Sequence, residues 1–287
     1  RLWGRLQQIR EPMSYEGFRT PYAPYFVASG APGLPALATM IRDPATGLRV
    51  WSAHHGYPGD FDYLEFHKKH VPGDLRYWRI TDNSGDLARK EPYSPEKAAE
   101  RLHENAGHFV GMLHDLLESQ PRPGGRRPVV CAPFDLELFG HWWHEGPQWL
   151  RQVVRWIYED PRVRCVTGRE YVALNPPATA ITLPEGSWGQ GGGHYMWLNP
   201  QTTWTWNRIY EAELDMRGLA WEHANTTDPQ LRAMVQQAAR ELLLLQASDW
   251  QFLITTGSAP DYATHRLHGH FSDFKRLVSM ARRWAAG

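Results

Sequence analysis

Strand-like runs and helical segments alternate up to about residue 170, and only helical periodicity follows a long glycine- and proline-rich loop. Alternation of this kind points to an α/β layer or barrel, because parallel strands pair only after a crossover, usually a helix, has carried the chain back. The strand-like pieces are Tyr25–Ala28, Leu48–Ser52, "YWRIT" (77–81), "VVCAPFD" (129–135) and "RCVT" (164–167). The β-branched run ending at Pro133 reads as a buried strand. Ser94 as N-cap, Pro95 in the first turn and Glu96 at the positive end of the dipole predict a helix start. Leu102, Ala106, Phe109, Leu113 and Leu116 carry that helix at apolar spacing until "QPRPGGRRP" (120–128) stops it. A second helix is expected over 146–159.

The loop "NPPATAITLPEGSWGQGGGH" (175–194) is too long for a simple connector. Helical segments near 203–223, 229–247 and 260–284 follow it. The middle one starts at Asp228 as cap and Pro229, and sets Leu231, Val235, Ala238 and Leu242 on one face. The expected organisation is an α/β part over 1–175 and an all-helical part over 176–287.

Charge narrows the partners. The 31 basic and 31 acidic residues balance, so neither nucleic acid nor an anionic membrane is an expected partner. The longest aliphatic run, Leu242–Leu245, is far too short to span a bilayer. The opening "RLWGRLQQIREP" has no signal-like pattern and reads as the middle of a longer chain. Cys131 and Cys165 sit in apolar runs and are expected as buried reduced thiols of a cytoplasmic protein. Fourteen tryptophans and twelve tyrosines exceed ordinary packing needs and tilt the expectation toward a ligand with flat apolar faces, such as a sugar.

The densest chemistry lies in "FDLELFGHWWHEGP" (134–147). Asp135 falls where the expected strand gives way to a loop, and functional side chains gather at that end of parallel strands. Asp135 and Glu137 could form a glycosidase-type carboxylate pair; alternatively Asp135 caps the next helix and Glu137 faces solvent. His141, His144 and Glu145 lack the H-E-x-x-H spacing, so no metal is expected. "GQGGGH" (189–194) lacks the strand and Lys-Ser/Thr of a phosphate loop, no G-x-S-x-G elbow occurs, and no cofactor is expected.

"APFDLELFGHWWHEGP" (132–147) strongly resembles the fourth sequence motif of glycoside hydrolase family 57, and most of all its 1,4-α-glucan branching enzymes. "VWSAHHGYPGD" (50–60), "EGSWGQGGGHYMWLNP" (185–200) and "LLLLQASDWQF" (242–252) resemble the same family, in the same order. The resemblance implies the C-terminal part of an incomplete β/α barrel of the family 57 type, followed by the all-helical domain. It implies retaining transfer on α-1,4-glucan, with Asp135 as general acid/base. Trp51, Trp142, Trp188 and Trp197 would line the glucan cleft, and His141, Asp249 and Trp250 would contact the sugar. His54 departs from the acidic or polar residue expected in its motif.

The family's nucleophile, a glutamate of its third motif, is not in this sequence, nor is its first, histidine-containing motif. Glu137 belongs to the acid/base motif and is not assigned that role. The expected partners are therefore an α-glucan such as amylose or glycogen and the N-terminal part of the barrel, whether cleaved, left out or carried on another chain. A 4-α-glucanotransferase, an amylase-like hydrolase and a non-catalytic glucan-binding module remain alternatives.

Overall fold

The computed structural model describes residues 19–27, 37–52, 55–82, 86–122 and 125–287. Ala28 and His54 lie outside them. The described chain divides into two compact units between Pro184 and Glu185.

The first unit contains strands β1 (Pro24–Val27) and β2 (Leu37–Met40), helices α1 (Pro44–Trp51), α2 (Pro95–Glu118), α3 (Gly146–Glu159) and α4 (Gly168–Leu174), and strand β3 (Ala180–Ile181). The sheet order is β2-β1-β3, with β1 antiparallel to β2 and parallel to β3. The helix starts of α2 and α3 lie where the sequence puts them, with Ser94 accepting from the Lys97 N–H.

Several expected strands are not regular strands. Leu48–Trp51 belongs to α1, with Ser52 as its C-cap, because Asp43 accepts from the Thr46 N–H and Pro44 sets the first turn, so Thr46 and Val50 are buried on one helical face. Residues 77–81 and 129–135 are extended but form only single bridges, Leu64 with Arg79, Trp78 with Pro92 and Arg42 with Cys131. Along 77–81 the backbone is bonded on both sides, the Ile80 N–H donating to the Tyr63 carbonyl and the Arg79 N–H to the Glu91 carbonyl, without the paired register of a regular ladder, and 129–135 is bonded at Val129 and Cys131. Residues 164–167 run into α4, where Thr167 and Glu170 form a reciprocal capping box. The two cysteines are free, with Cys165 exposed and Cys131 only partly buried, which corrects the expectation of two buried thiols.

An aromatic core binds this unit. Trp149, wholly buried, meets Phe109 (centroids 5.0 Å apart), Trp143 (5.3 Å) and Tyr57 (5.5 Å).

The second unit is helical, with α5 (Thr203–His223), α6 (Pro229–Leu245), α7 (Asp249–Thr256) and α8 (Pro260–Ala285). Asp228 caps α6 through the Gln230 and Leu231 N–H groups. The short helix α7 was not anticipated as a separate element; Gly257, in left-handed conformation at φ 69°, ends it. Leu219, Leu245, Leu267 and Phe274 are buried at the centre of the unit.

Asp215 on α5 accepts from Lys275 (2.6 Å) and Arg282 (3.3 Å) of α8. The Lys275 contact holds the Asp215 carboxyl below its ordinary range, with Arg282 adding to it. A depressed carboxylate stabilises the fold above its unfolded pKa, about 3.9, and loses that contribution as pH falls through the folded value. Wild type should therefore melt above an Asp215→Asn variant at pH 7, and the gap should close below about pH 4. Thermal melts at both pH values check this.

Candidate active site

The extended segment before Asp135 is tied down by the Val129 N–H donating to the Tyr22 carbonyl and the Asp43 N–H donating to the Cys131 carbonyl. Phe134 then packs on Phe109 and Phe139, which turns the next side chain, Asp135, outward into solvent. The Leu138 N–H bonds back to the Asp135 carbonyl, and a π-helical turn, Leu138–Trp142, begins. Such turns are rare and cluster at functional sites, because the wider ring re-aims the side chains that follow. Here Leu138 and Phe139 point into the core, while His141 and Trp142 face outward.

Trp142 is 44% exposed and leans on Phe66 (5.5 Å) and His141 (5.3 Å). Trp143 is the opposite case, buried against Tyr63 and Trp149. One of the two adjacent indoles thus serves packing and the other offers a face. Glu137 is exposed on the same turn.

The buried acid of the stretch is Glu145, which accepts from the Leu64 N–H at 3.0 Å and so ties residues 61–66 beneath the turn. Burial first, and the Glu145 carboxylate second, push the Tyr93 hydroxyl far above its ordinary pKa. Tyr57 donates to or accepts from His108 Nδ1 (2.7 Å), and Asn105 donates to Asp60 (3.2 Å) and to the Tyr63 hydroxyl (3.0 Å). The segment "GYPGD" is therefore a structural anchor on α2. Trp51, at the end of α1, is partly buried against the same core as Phe134. Glu145 and Asn105 have no pattern in the sequence that distinguishes them from surface polar residues.

The other expected residues belong to the helical unit. Trp188 is 57% exposed, stands edge-on to Trp197 (4.9 Å, 83°) and leans on Phe252 (5.6 Å). The Trp197 carbonyl accepts from Trp206 Nε1 and the Thr202 hydroxyl, both at 2.8 Å, and Asn199 Nδ2 bonds Thr255. These bonds hold the loop to α5 and α7. A Cβ on Gly189 would lie 2.8 Å from the Trp197 ring. Gly189→Ala should cost about 1–3 kcal/mol by overpacking and displace the indole. A changed near-UV circular dichroism spectrum with an intact far-UV spectrum would show it.

Asp249 is exposed in the first turn of α7. Trp250 departs from its expected sugar contact. It is 8% exposed, its Nε1 donates to the Leu244 carbonyl at 2.8 Å, and its ring lies along His270 in the helical core. Its ring and its N–H are thus engaged within the unit. Among the described residues no group of three or more His, Cys, Asp or Glu could hold a metal ion. No helix among them is long and apolar enough to cross a membrane.

Residues 208–286 match the family model described as 1,4-alpha-glucan branching enzyme, C-terminal. The chain is 42% identical over 261 residues to the 1,4-alpha-glucan branching enzyme of Thermococcus kodakarensis, covering 91% of this chain and 38% of that protein. The crystal structure of the GH57 branching enzyme from Thermococcus kodakaraensis, in complex with glucose and additives, superposes with a TM-score of 0.80 over 93% of this chain and 47% of the other, at 43% identity. By sequence and by fold, this chain is related to the GH57 branching enzymes. The Pyrococcus horikoshii GH57-type branching enzyme matches as well, at TM-score 0.80 and 42% identity, over 93% of this chain and 48% of that one. An alpha-amylase of Thermotoga maritima, at TM-score 0.70 and 30% identity, covers 90% of this chain and 50% of that chain. The chain thus spans about half the length of the GH57 branching enzymes it matches.

Proposed function

We propose that this chain carries the acid/base half of a retaining 1,4-α-glucan branching site. The observation that supports it best is the solvent-facing Asp135 at the end of a pinned extended segment, with His141 and Trp142 outward on the next turn. Asp135, protonated, gives its proton to the glycosidic oxygen as the C1–O bond breaks and a carboxylate nucleophile forms a glycosyl ester. The Asp135 carboxylate then takes the proton of an acceptor 6-hydroxyl, whose oxygen displaces the ester and makes the α-1,6 bond. The nucleophile is a glutamate outside this chain.

Residues 1–175 would form the C-terminal part of the catalytic β/α barrel, and 176–287 a helical domain that contributes to the glucan cleft. Trp51, His141, Trp142, Trp188, Trp197 and Asp249 would line that cleft, with Trp188 stacked on a glucose ring. Trp250 would support it from within the helical core. The substrate is a glycogen- or amylose-like glucan, and the work belongs to cytoplasmic glycogen biosynthesis.

The test supplies the chain with the unmatched portion of the Thermococcus kodakarensis enzyme, incubates the pair with amylose, and debranches the product with isoamylase. Short linear chains released only by isoamylase support branching. Free short sugars before debranching favour the second reading, an amylase-like hydrolase or 4-α-glucanotransferase, for which the likeness to the Thermotoga amylase speaks. Maltooligosaccharide binding without turnover would favour a glucan-binding module.

A further inference from the structure

Residues 64–79 form an irregular hairpin, closed at its base by the bridge between Leu64 and Arg79 and near its tip by the one between His70 and Leu75. At the base the Glu65 N–H donates to the Trp78 carbonyl at 2.8 Å. The Glu65 carboxylate meets Lys90 Nζ at 2.9 Å, with side chains only 11% and 3% exposed. Desolvation offsets most of what such a pair gains, so its effect is to hold one geometry of the hairpin rather than to add much stability. The other carboxylate oxygen of Glu65 accepts from the His67 N–H at 3.0 Å, which fixes the backbone that carries the His67 side chain.

The hairpin reaches the turn that follows Asp135 through Phe66, whose ring lies 5.5 Å from that of Trp142. Arg76 holds Phe66 in place, with its guanidinium carbon 4.5 Å from the ring centroid and its Nε donating to the Phe66 carbonyl at 2.8 Å. Two exposed imidazoles flank the half-exposed Trp142 indole, His141 at 5.3 Å and His67 at 6.0 Å. Among the described residues neither imidazole ring has a hydrogen-bond partner. Each ring nitrogen can donate to or accept from a hydroxyl, so the site presents a flat apolar face edged by open polar groups. A hexose offers the complement, a flat C–H face with hydroxyls at its rim.

We propose that the hairpin 64–79 completes a sugar subsite at Trp142, in which His67 hydrogen-bonds a hydroxyl of the glucose unit stacked on the indole. His67 lies outside all four motifs that carry the kinship, so this contact belongs to the hairpin and not to the acid/base motif. The inference deepens the proposed function and rests on it for the choice of an α-glucan as ligand. Both contact residues lie in one unit of the chain, so binding at this subsite needs no other polypeptide.

The test labels the whole 287-residue chain with fluorotryptophan and follows its fluorine NMR spectrum as maltoheptaose is added. The resonance missing from a Trp142→Phe variant identifies Trp142, and in wild type it should shift and saturate. His67→Phe keeps a ring beside Trp142 but removes both nitrogens, and should raise the midpoint about tenfold, the loss of one hydrogen bond. His67→Gln restores a donor and an acceptor, and its midpoint should stay within about threefold of wild type. Neither variant should change the melting temperature by more than a degree or so, because His67 is exposed. A Trp142 resonance that does not move, equal midpoints for His67→Phe and wild type, or a His67→Gln midpoint as high as that of His67→Phe would each overturn the proposal. A chain that titrates as expected but forms no α-1,6 linkages in the assembled assay would sink the branching reading and leave the sugar subsite standing.

Discussion

An Asp135→Asn variant, assembled with the unmatched portion of a relative, should transfer glucan about 10²–10⁴-fold more slowly than wild type, the range by which positioned acid/base groups act. The amide can neither donate a carboxylic proton nor accept one from the acceptor hydroxyl. Its melting temperature should stay within a degree or so of wild type, because surface changes of this kind cost little. Asp135 is exposed, and its backbone carbonyl accepts from the Leu138 N–H. Transfer is read from isoamylase-released chains on amylose, and unfolding from a thermal melt. Normal turnover by the variant would remove Asp135 from the mechanism.

The second large effect is on stability. Trp149→Ala should cost the first unit about 3–5 kcal/mol, as large aromatic truncations in a packed core do. The indole is wholly buried, and removing it opens a cavity between Tyr57, Phe109, Phe139 and Trp143. Phe139 and Trp143 flank the turn that presents Trp142, so the loss should also loosen the candidate site. Trp149→Phe should cost less, because it keeps most of the ring contact and removes an indole N–H that has no hydrogen-bond partner among the described residues. Urea unfolding followed by circular dichroism measures both; equal stability of Trp149→Ala and wild type would refute the assignment of this cluster as the core.

How legible each element was follows from the range of the forces that make it. The starts of α2 and α6 were readable because Ser94 and Asp228 bond amides two or three residues away. The strand at Leu48–Ser52 was misread because alternation of apolar residues over five positions does not distinguish a strand from one face of a helix capped upstream by Asp43. Residues 129–135 read correctly as extended, but whether an extended segment becomes a ladder depends on a backbone distant in sequence. The tryptophans divide for the same reason. Nothing local separates Trp142 from Trp143, or Trp188 from Trp250, yet in each pair one ring faces outward and the other packs inside.

The sequence by itself determined the helix boundaries set by caps, the helical character of the C-terminal part, and, through four motifs in order, the kinship with the GH57 branching enzymes. Those signals are local in the chain, or reside in residue identity. Tertiary structure alone decided which indole is offered to solvent, that Glu145 and Asn105 anchor the turn, and that α3 exposes Val154 and Tyr158 beside its buried face. Burial and strand pairing depend on which distant surfaces meet, and no window of sequence contains both sides of that contact.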